Sequence, residues 1–282
     1  MLKQIHPINI DDTINSGQVF LWEKFGKTWY GVNGNDVLAA SAEPLEIFSY
    51  SKKPYDLFRN NDDFEKIRKS ITKDSVVKFA VDGFPGLRLL RQDPFQCYIS
   101  FIVSANSSIQ NIKKMLQQLC KKFGTKVKFN ENYFYLFPDP KKLATAEKHE
   151  LLSCGLGYRA KAVKKAAEAV VDREIDFDFL RKMKYHTAKE HLLKIFGIGN
   201  KVADCIMLFS LEKLDAFPLD RWMLRVLQKY YSDKFELDVK TLTEKRYENL
   251  HKEIVKYFGP YAGYSQQFLF KMERELNQKK WL

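Results

Sequence analysis

The sequence predicts an α+β protein, with a small N-terminal antiparallel β domain over residues 1–88 and a larger all-helical domain over residues 89–282. Three observations predict it. In the first third, short aromatic and β-branched runs alternate with turn residues at Gly17, Gly26, Pro44 and Pro54. From Asp93 onward, apolar residues recur at helical spacing. Between the two regions Gly83, Pro85 and Gly86 cluster, as at a boundary near 83–92.

Taken in order, residues 28–39 hold two strand-like runs around Asn33-Gly34, a pair that favours positive φ and a tight hairpin. After Asp62 a short helix carries Phe64, Ile67 and Ile71 on one face. Asp93-Pro94 sets a capping carboxylate before a proline at the first helical position. The helix from Ser108 to Phe123 has its apolar stripe at 109, 112, 116, 119 and 123, and Gly124 stops it. Further helices are expected near 159–172, 178–184, 187–196, 200–211, 221–231, 243–258 and 262–276. Thr187 and Glu190 have the spacing of a capping box, and Gly259-Pro260 ends one helix and spaces the next.

Hydrophobic residues make up 45% and charged residues 29% of the 282, the composition of a folded globular chain. The longest apolar run, 97–105, falls far short of the ~20 residues of a membrane helix. No secretory signal is read in Met1 to Asp12, so a cytoplasmic or nucleoid location is expected, nuclear in a eukaryote. The four cysteines, at 97, 120, 154 and 205, have no close pair, which argues against a disulfide framework or a CxxC metal site. The net charge is +12. It is lopsided: residues 1–85 hold 11 basic and 12 acidic side chains, residues 86–282 hold 36 and 23. A basic region joined to a neutral one suits an anionic partner such as nucleic acid, and equally a merely basic enzyme.

The most informative segment is 191–211, HLLKIFGIGNKVADCIMLFSL. An apolar helix end meets Gly197-Ile198-Gly199 and a second helix begins at once. Two glycines one residue apart allow a tight turn whose N–H groups, with the positive end of the next helix, suit a phosphate. A plain αα-hairpin would show the same glycines. Lys201 falls in the first turn of that second helix among apolar residues. Desolvation and the helix end both favour its uncharged amine, the form a nucleophile needs, although a phosphate-binding cation fits as well. Cys205 lies four residues on, on the same face. Asp220, after Phe217-Pro218-Leu219, is placed to cap the following helix, and the short return loop lets it reach the neighbourhood of Lys201. An amine beside a permanent carboxylate supplies a nucleophile and a group that stabilises positive charge or moves protons.

FGIGNKVADCI, followed by the aspartate of FPLD nineteen residues after the lysine, resembles the helix-hairpin-helix/Gly-Pro-Asp superfamily of DNA glycosylases, and most closely its 8-oxoguanine DNA glycosylase/AP lyases. SGQVFLW (16–22), QDPFQCYISFIVSAN (92–106), GLGYRAKAV (155–163) and YAGYSQQFLF (261–270) agree with it, in family order. The resemblance implies a base-excision enzyme that flips 8-oxoguanine out of double-stranded DNA, releases it through a Schiff base on Lys201, and nicks the strand by β-elimination, with Asp220 stabilising the oxocarbenium-like charge. It implies that the Gly17 carbonyl accepts from N7–H of the lesion, that Gln266 binds the Watson–Crick edge, and that Phe270 and Cys205 sandwich the base. An ordinary amphipathic helix would account for Gln266 and Phe270 as well. Asn106 is expected to fill the gap left by the flipped base, Tyr158 to wedge the duplex, and Arg159 to contact the estranged cytosine. Gly197 and Gly199 are expected at the DNA backbone.

The sequence departs from the family at three points. Asn111 stands where a second cytosine-reading arginine is expected, and Ser107 and Ser108 where better-known eukaryotic members carry asparagines, which predicts relaxed preference for cytosine opposite the lesion. Trp222 stands where a phosphate-binding histidine is common. With Cys205 the last cysteine, no Fe–S cluster is expected; a monovalent cation at the hairpin carbonyls near 195–199 is compatible with the resemblance, and a monomer is expected. Two alternatives remain open at this level: a monofunctional alkyl-base glycosylase acting through Asp220 and water, and a non-catalytic DNA tether.

Overall fold

A computed structural model of the chain describes residues 8–42, 45–52, 56–237 and 242–278. A short helix α1 (Ile10–Ile14), capped by Asn9, leads into a four-stranded antiparallel sheet of β1 (Trp22–Phe25), β2 (Thr28–Asn33), β3 (Asp36–Ala42) and β4 (Leu45–Ser49), ordered as in the sequence. Asn33 pairs with Asp36, so Gly34 and Asn35 form the two-residue turn, with Gly34 at φ +63°. The turns expected at Pro44 and Pro54 lie outside the described residues.

The polypeptide continues through α2 (Phe64–Ile71) and α3 (Ser75–Gly83), capped by Asp63 and Asp74, then α4 (Pro94–Val103), where Asp93 accepts from Gln96 N at 2.8 Å. After α5 (Ile109–Phe123) comes a hairpin of β5 (Lys126–Phe129) and β6 (Asn132–Tyr135). Thus the second region is not all helix. The hairpin lies against the sheet: Phe134 stacks on Tyr30 with centroids 5.5 Å apart, Phe25 meets both rings edge-on, and Phe129 meets Tyr30 edge-on. The alternation in Lys126-Val127-Lys128-Phe129 carried this signal, and the aromatic face of the sheet supplies the cover a lone hairpin lacks.

Next follow α6 (Pro140–Thr145), α7 (Lys148–Ser153), α8 (Arg159–Val171), α9 (Phe177–Lys182), α10 (Tyr185–Leu193), α11 (Asn200–Ser210), α12 (Arg221–Tyr230), α13 (Glu244–Phe258) and α14 (Ala262–Gln278). Thr187 is not a helix cap. Helix α10 begins two residues earlier because buried Tyr185 is already engaged, its hydroxyl donating to Asp204. Every residue of α4 from Phe95 to Val103 is buried, because the helix packs between α8 and α11 and its one amide, Gln96, is satisfied by Gly34 N and the Val32 carbonyl. One core runs from Phe20 and Leu21 through α4 and α11 to Met272. A smaller one, around Trp22, Trp29, Leu38 and Phe58, lies under the sheet.

Candidate active site

The turn between α10 and α11 is made by Gly197 at φ +90°, and a Cβ there would lie 2.6 Å from that of Ala162, so only glycine lets the hairpin rest on α8. Ile195 and Ile198 are buried beneath the turn, while Phe196, Gly197 and Gly199 face solvent. Gly199 is the N-cap of α11, with open space around it and no side chain capping the helix. The helix end therefore presents backbone N–H groups to an approaching anion.

Lys201 is partly buried in the first turn of α11, its Nζ 5.4 Å from the ring centroid of Phe101, and its charge acts on the Cys205 thiol. Phe101 is held by a stacked Phe209 at 5.4 Å. Asp220 caps α12, its carboxylate accepting from Met223 N at 2.8 Å. Cys205 is the common neighbour. Burial pushes its thiol up to about 12, with the nearby Lys201 opposing and the Asp220 charge adding to the rise. It stays a neutral thiol at physiological pH. The charges of Lys201 on α11 and Asp220 at the head of α12 thus both act on the same buried thiol, without a direct ion pair between them among the described residues.

A buried polar cluster holds that juxtaposition. Asp204, fully buried on α11, accepts from Tyr185 at 2.6 Å and from Tyr247 at 2.5 Å, and lies 3.1 Å from Lys189 Nζ. Burial raises its carboxyl above the ordinary value, opposed by Lys189 and the two hydroxyls. The Tyr247 oxygen also accepts from Leu219 N at 3.0 Å, one residue before Asp220, and His251 Nε2 accepts from Phe217 N at 3.3 Å. Helix α13 so straps the 217–220 loop to α11. The sequence reading missed this strap: Asp204 is visible inside KVADC, but Tyr247 and His251 come from a helix more than forty residues on.

A second group of residues converges from the chain ends. Gly17 follows a loop fixed by Gln18, whose side chain binds the Thr13 and Arg88 carbonyls and accepts from Leu90 N, while Gln267 Nε2 donates to the Ser16 carbonyl at 2.9 Å. That bond docks α14 beside Gly17. A Cβ on Gly17, which has φ +86°, would lie 3.1 Å from Phe270 Cε1 and 3.1 Å from Arg274 Nη1. Gln266, Phe270 and Arg274 are spaced by four and share one face of α14. The Gln266 Oε1 atom is buried and has no hydrogen-bond partner among the described residues, an acceptor left for a ligand. Arg274, which the sequence reading did not single out, is half-buried with its guanidinium 5.5 Å from the Phe270 ring centroid. Burial lowers its pKa, opposed by the charges of Glu275 and Asp220.

Asn106 is exposed at φ +50° in the turn after α4. Tyr158 is 67% exposed, its hydroxyl 3.2 Å from the Ala105 carbonyl. Arg159 is turned inward: Nε donates to Ala105 O at 2.9 Å and Nη2 to Asn106 O at 3.1 Å. Tyr158 and Arg159 thus both hold the backbone of this turn, with Arg159 fastening the positive-φ turn that projects Asn106. Asn111 is exposed in the first turn of α5, and Trp222 lies under Arg225 at 5.5 Å. No cluster of His, Cys, Asp and Glu able to hold a metal occurs among the described residues.

Residues 99–253 match the family model of the HhH-GPD superfamily base excision DNA repair protein, and residues 1–98 that of the 8-oxoguanine DNA glycosylase N-terminal domain. The chain is 32% identical over 222 residues to a probable N-glycosylase/DNA lyase of Methanothermobacter thermautotrophicus, covering 72% of this chain and 68% of that protein. It is 28% identical to the N-glycosylase/DNA lyase OGG1 of Arabidopsis thaliana over 95% of this chain and 78% of the other. Among solved structures, the 8-oxoguanine glycosylase/lyase of Clostridium acetobutylicum, in complex with double-stranded DNA containing cytosine opposite 8-oxoG, superposes with a TM-score of 0.86 at 29% identity, over 96% of this chain and 93% of that one.

Proposed function

The chain belongs to the 8-oxoguanine DNA glycosylase family of the HhH-GPD superfamily of base excision DNA repair proteins, and from that premise we propose that it excises 8-oxoguanine from duplex DNA through Lys201 and then nicks the strand. The observation that carries this reading is that Lys201 on α11 and Asp220 at the head of α12 both act by their charge on the buried Cys205.

The hairpin at Gly197 and Gly199 binds the DNA backbone through N–H groups, fixing register without reading sequence. Asn106 and Tyr158 occupy the duplex as the lesion nucleotide leaves it, since the anomeric carbon is out of reach within the stack. The base enters between Phe270 and Cys205. Its N1–H and N2–H groups meet the unpartnered Gln266 Oε1, and its N7–H meets the Gly17 carbonyl, which guanine, lacking that proton, repels. Lys201 Nζ attacks C1′ as the base departs and Asp220 offsets the positive charge on the sugar. The covalent adduct becomes a Schiff base, and loss of a C2′ proton expels the 3′ phosphate. Arg159 braces Asn106, and the missing arginine at 111 leaves cytosine weakly read. Hairpin carbonyls at 195–199 are candidate ligands for a monovalent cation: Ile195 O and Gly199 O each accept one backbone N–H, which leaves a lone pair on each. No helix among the described residues is long and apolar enough to cross a membrane, in keeping with action on DNA in the nucleoid or nucleus.

Borohydride trapping on a lesion-containing duplex tests the reading. The wild-type protein should form a covalent complex, and Lys201→Gln should abolish it while still binding. Base release by Lys201→Gln without a trapped complex would make the enzyme monofunctional; binding with no base release by the wild type would make it a tether.

A further inference from the structure

Arg274 is a guanidinium at the wall of the lesion pocket, set against the Phe270 ring and without a hydrogen-bond acceptor among the described residues. Its Nη1 lies 3.1 Å from the position of a Cβ on Gly17, and its guanidinium centre 5.5 Å from the Phe270 ring centroid. It makes no hydrogen bond or ion pair among the described residues, although its neighbour on α14, Lys271, is paired with Asp12 and Glu275 and the next acidic residue, Glu273, with Lys229. The charges of Glu275 and, more weakly, of Asp220 act on Arg274. A cation withdrawn from water normally takes acceptors in exchange. One left without them beside a ligand pocket meets its acceptor when the ligand arrives.

Resting on the reading above, we propose that Arg274 donates a hydrogen bond to O8 of the lesion, and so reads the oxidised atom itself. The ring chemistry fixes the choice. In 8-oxoguanine C8 lies between N7 and N9. Gly17 faces N7, and Asp220 faces C1′, the carbon N9 carries. A donor set against Gly17 and within the reach of the Asp220 charge meets the C8 edge. There guanine presents a C–H, which a guanidinium cannot bind, and the lesion presents a carbonyl oxygen, which it can.

The same contact assists departure of the base. The uncharged Lys201 amine supplies the electron pair of the new N–C1′ bond, and the C1′–N9 pair leaves with the base. The departing anion spreads its charge over N9 and O8, where Arg274 meets it. The surplus proton on the new C1′ ammonium then neutralises the base. Arg274 is in this account a specificity-determining residue and a donor to the leaving group.

Single-turnover base release by Arg274→Met, with Arg274→Lys beside it, tests this. On an 8-oxoguanine duplex the methionine variant should slow base release by about thirtyfold or more, as loss of a charge-assisted donor implies, with lysine intermediate. Nicking of a preformed abasic site, which carries no O8, should change less than about threefold, and the salt dependence of duplex binding should be unaltered. Three results would overturn the proposal. Equal losses on both substrates mark a structural role. A salt slope reduced by about one, with uniformly weaker binding, marks a phosphate contact. Unchanged base release leaves O8 unread. If Arg274→Met does not fold, Arg274→Lys releasing 8-oxoguanine at the wild-type rate overturns it alone. A wild-type protein that traps no lesion duplex refutes the parent reading, and this proposal with it.

Discussion

Replacing Tyr247 by phenylalanine removes one oxygen and two hydrogen bonds. That oxygen donates to Asp204 at 2.5 Å and accepts from Leu219 N at 3.0 Å. Leu219 is 4% exposed, so its N–H would be left buried and unpaired, at ~1–3 kcal/mol. Asp204 would lose one of the donors that offset its burial, a bond to a charged group worth ~1.5–3 kcal/mol. Some relaxation follows, and a net loss of about 2–4 kcal/mol is expected, which lowers Tm by roughly 5–15 °C for a chain of this size. The functional consequence is larger in proportion. Asp220 follows Leu219 directly, and a catalytic group misplaced by ~1 Å loses ~10²-fold in rate. Single-turnover base release should fall about ten- to hundredfold, while duplex affinity, which depends on the hairpin, should change less than about threefold. Tyr185→Phe is the control. It removes another donor to Asp204, at 2.6 Å, but none to the 217–220 loop. It should lower Tm comparably and leave base release within about threefold. If both variants slow base release in step with their loss of Tm, the strap stabilises the fold and does not position Asp220.

The stability of the protein should fall in mild acid through His251, whose imidazole burial, aided by Lys189 and His186, lowers from 6.5 to about 3. The unfolded chain takes up a proton near 6.5 that the folded chain refuses, so this contribution is complete above pH 6.5 and is lost by ~1.4 kcal/mol per pH unit as pH falls toward 3. Urea titrations between pH 6.5 and 5 should give a steeper slope for the wild type than for His251→Gln; equal slopes would refute the assignment. Gly17→Ala should cost ~1–2 kcal/mol for its positive φ and press on Phe270 and Arg274. Base release should suffer and abasic-site nicking survive, and a wild-type rate of base release would remove Gly17 from the pocket. Cleavage of 8-oxoguanine opposite C, A, G and T should differ by only tenfold or so, given one lost base contact of ~1–3 kcal/mol; a hundredfold preference for C would contradict the weak reading assigned to Asn111.

Local chemistry was legible in the linear chain. Phe64, Ile67 and Ile71 repeat at helical spacing and lie buried on α2, and Asp93 and Asp220 cap the helices they precede. Each signal acts within a few residues, where backbone geometry alone relates side chains. The β5–β6 hairpin escaped because its partner face, Phe25 and Tyr30, lies a hundred residues away. The start of α10 escaped because Tyr185 is anchored across the core to Asp204, and a tertiary bond outweighs a weak capping preference.

Residue order alone determined the hairpin glycines, the amine on its first turn, and the carboxylate at the head of the next helix. Folding alone decided what brings these groups toward one sulfur: a tyrosine and a histidine from α13 fastening the intervening loop, and a guanidinium from α14 lodged in the space that Gly17 leaves. Such contacts depend on distances between helices, which follow from how the whole interior packs, and no short stretch of chain encodes them.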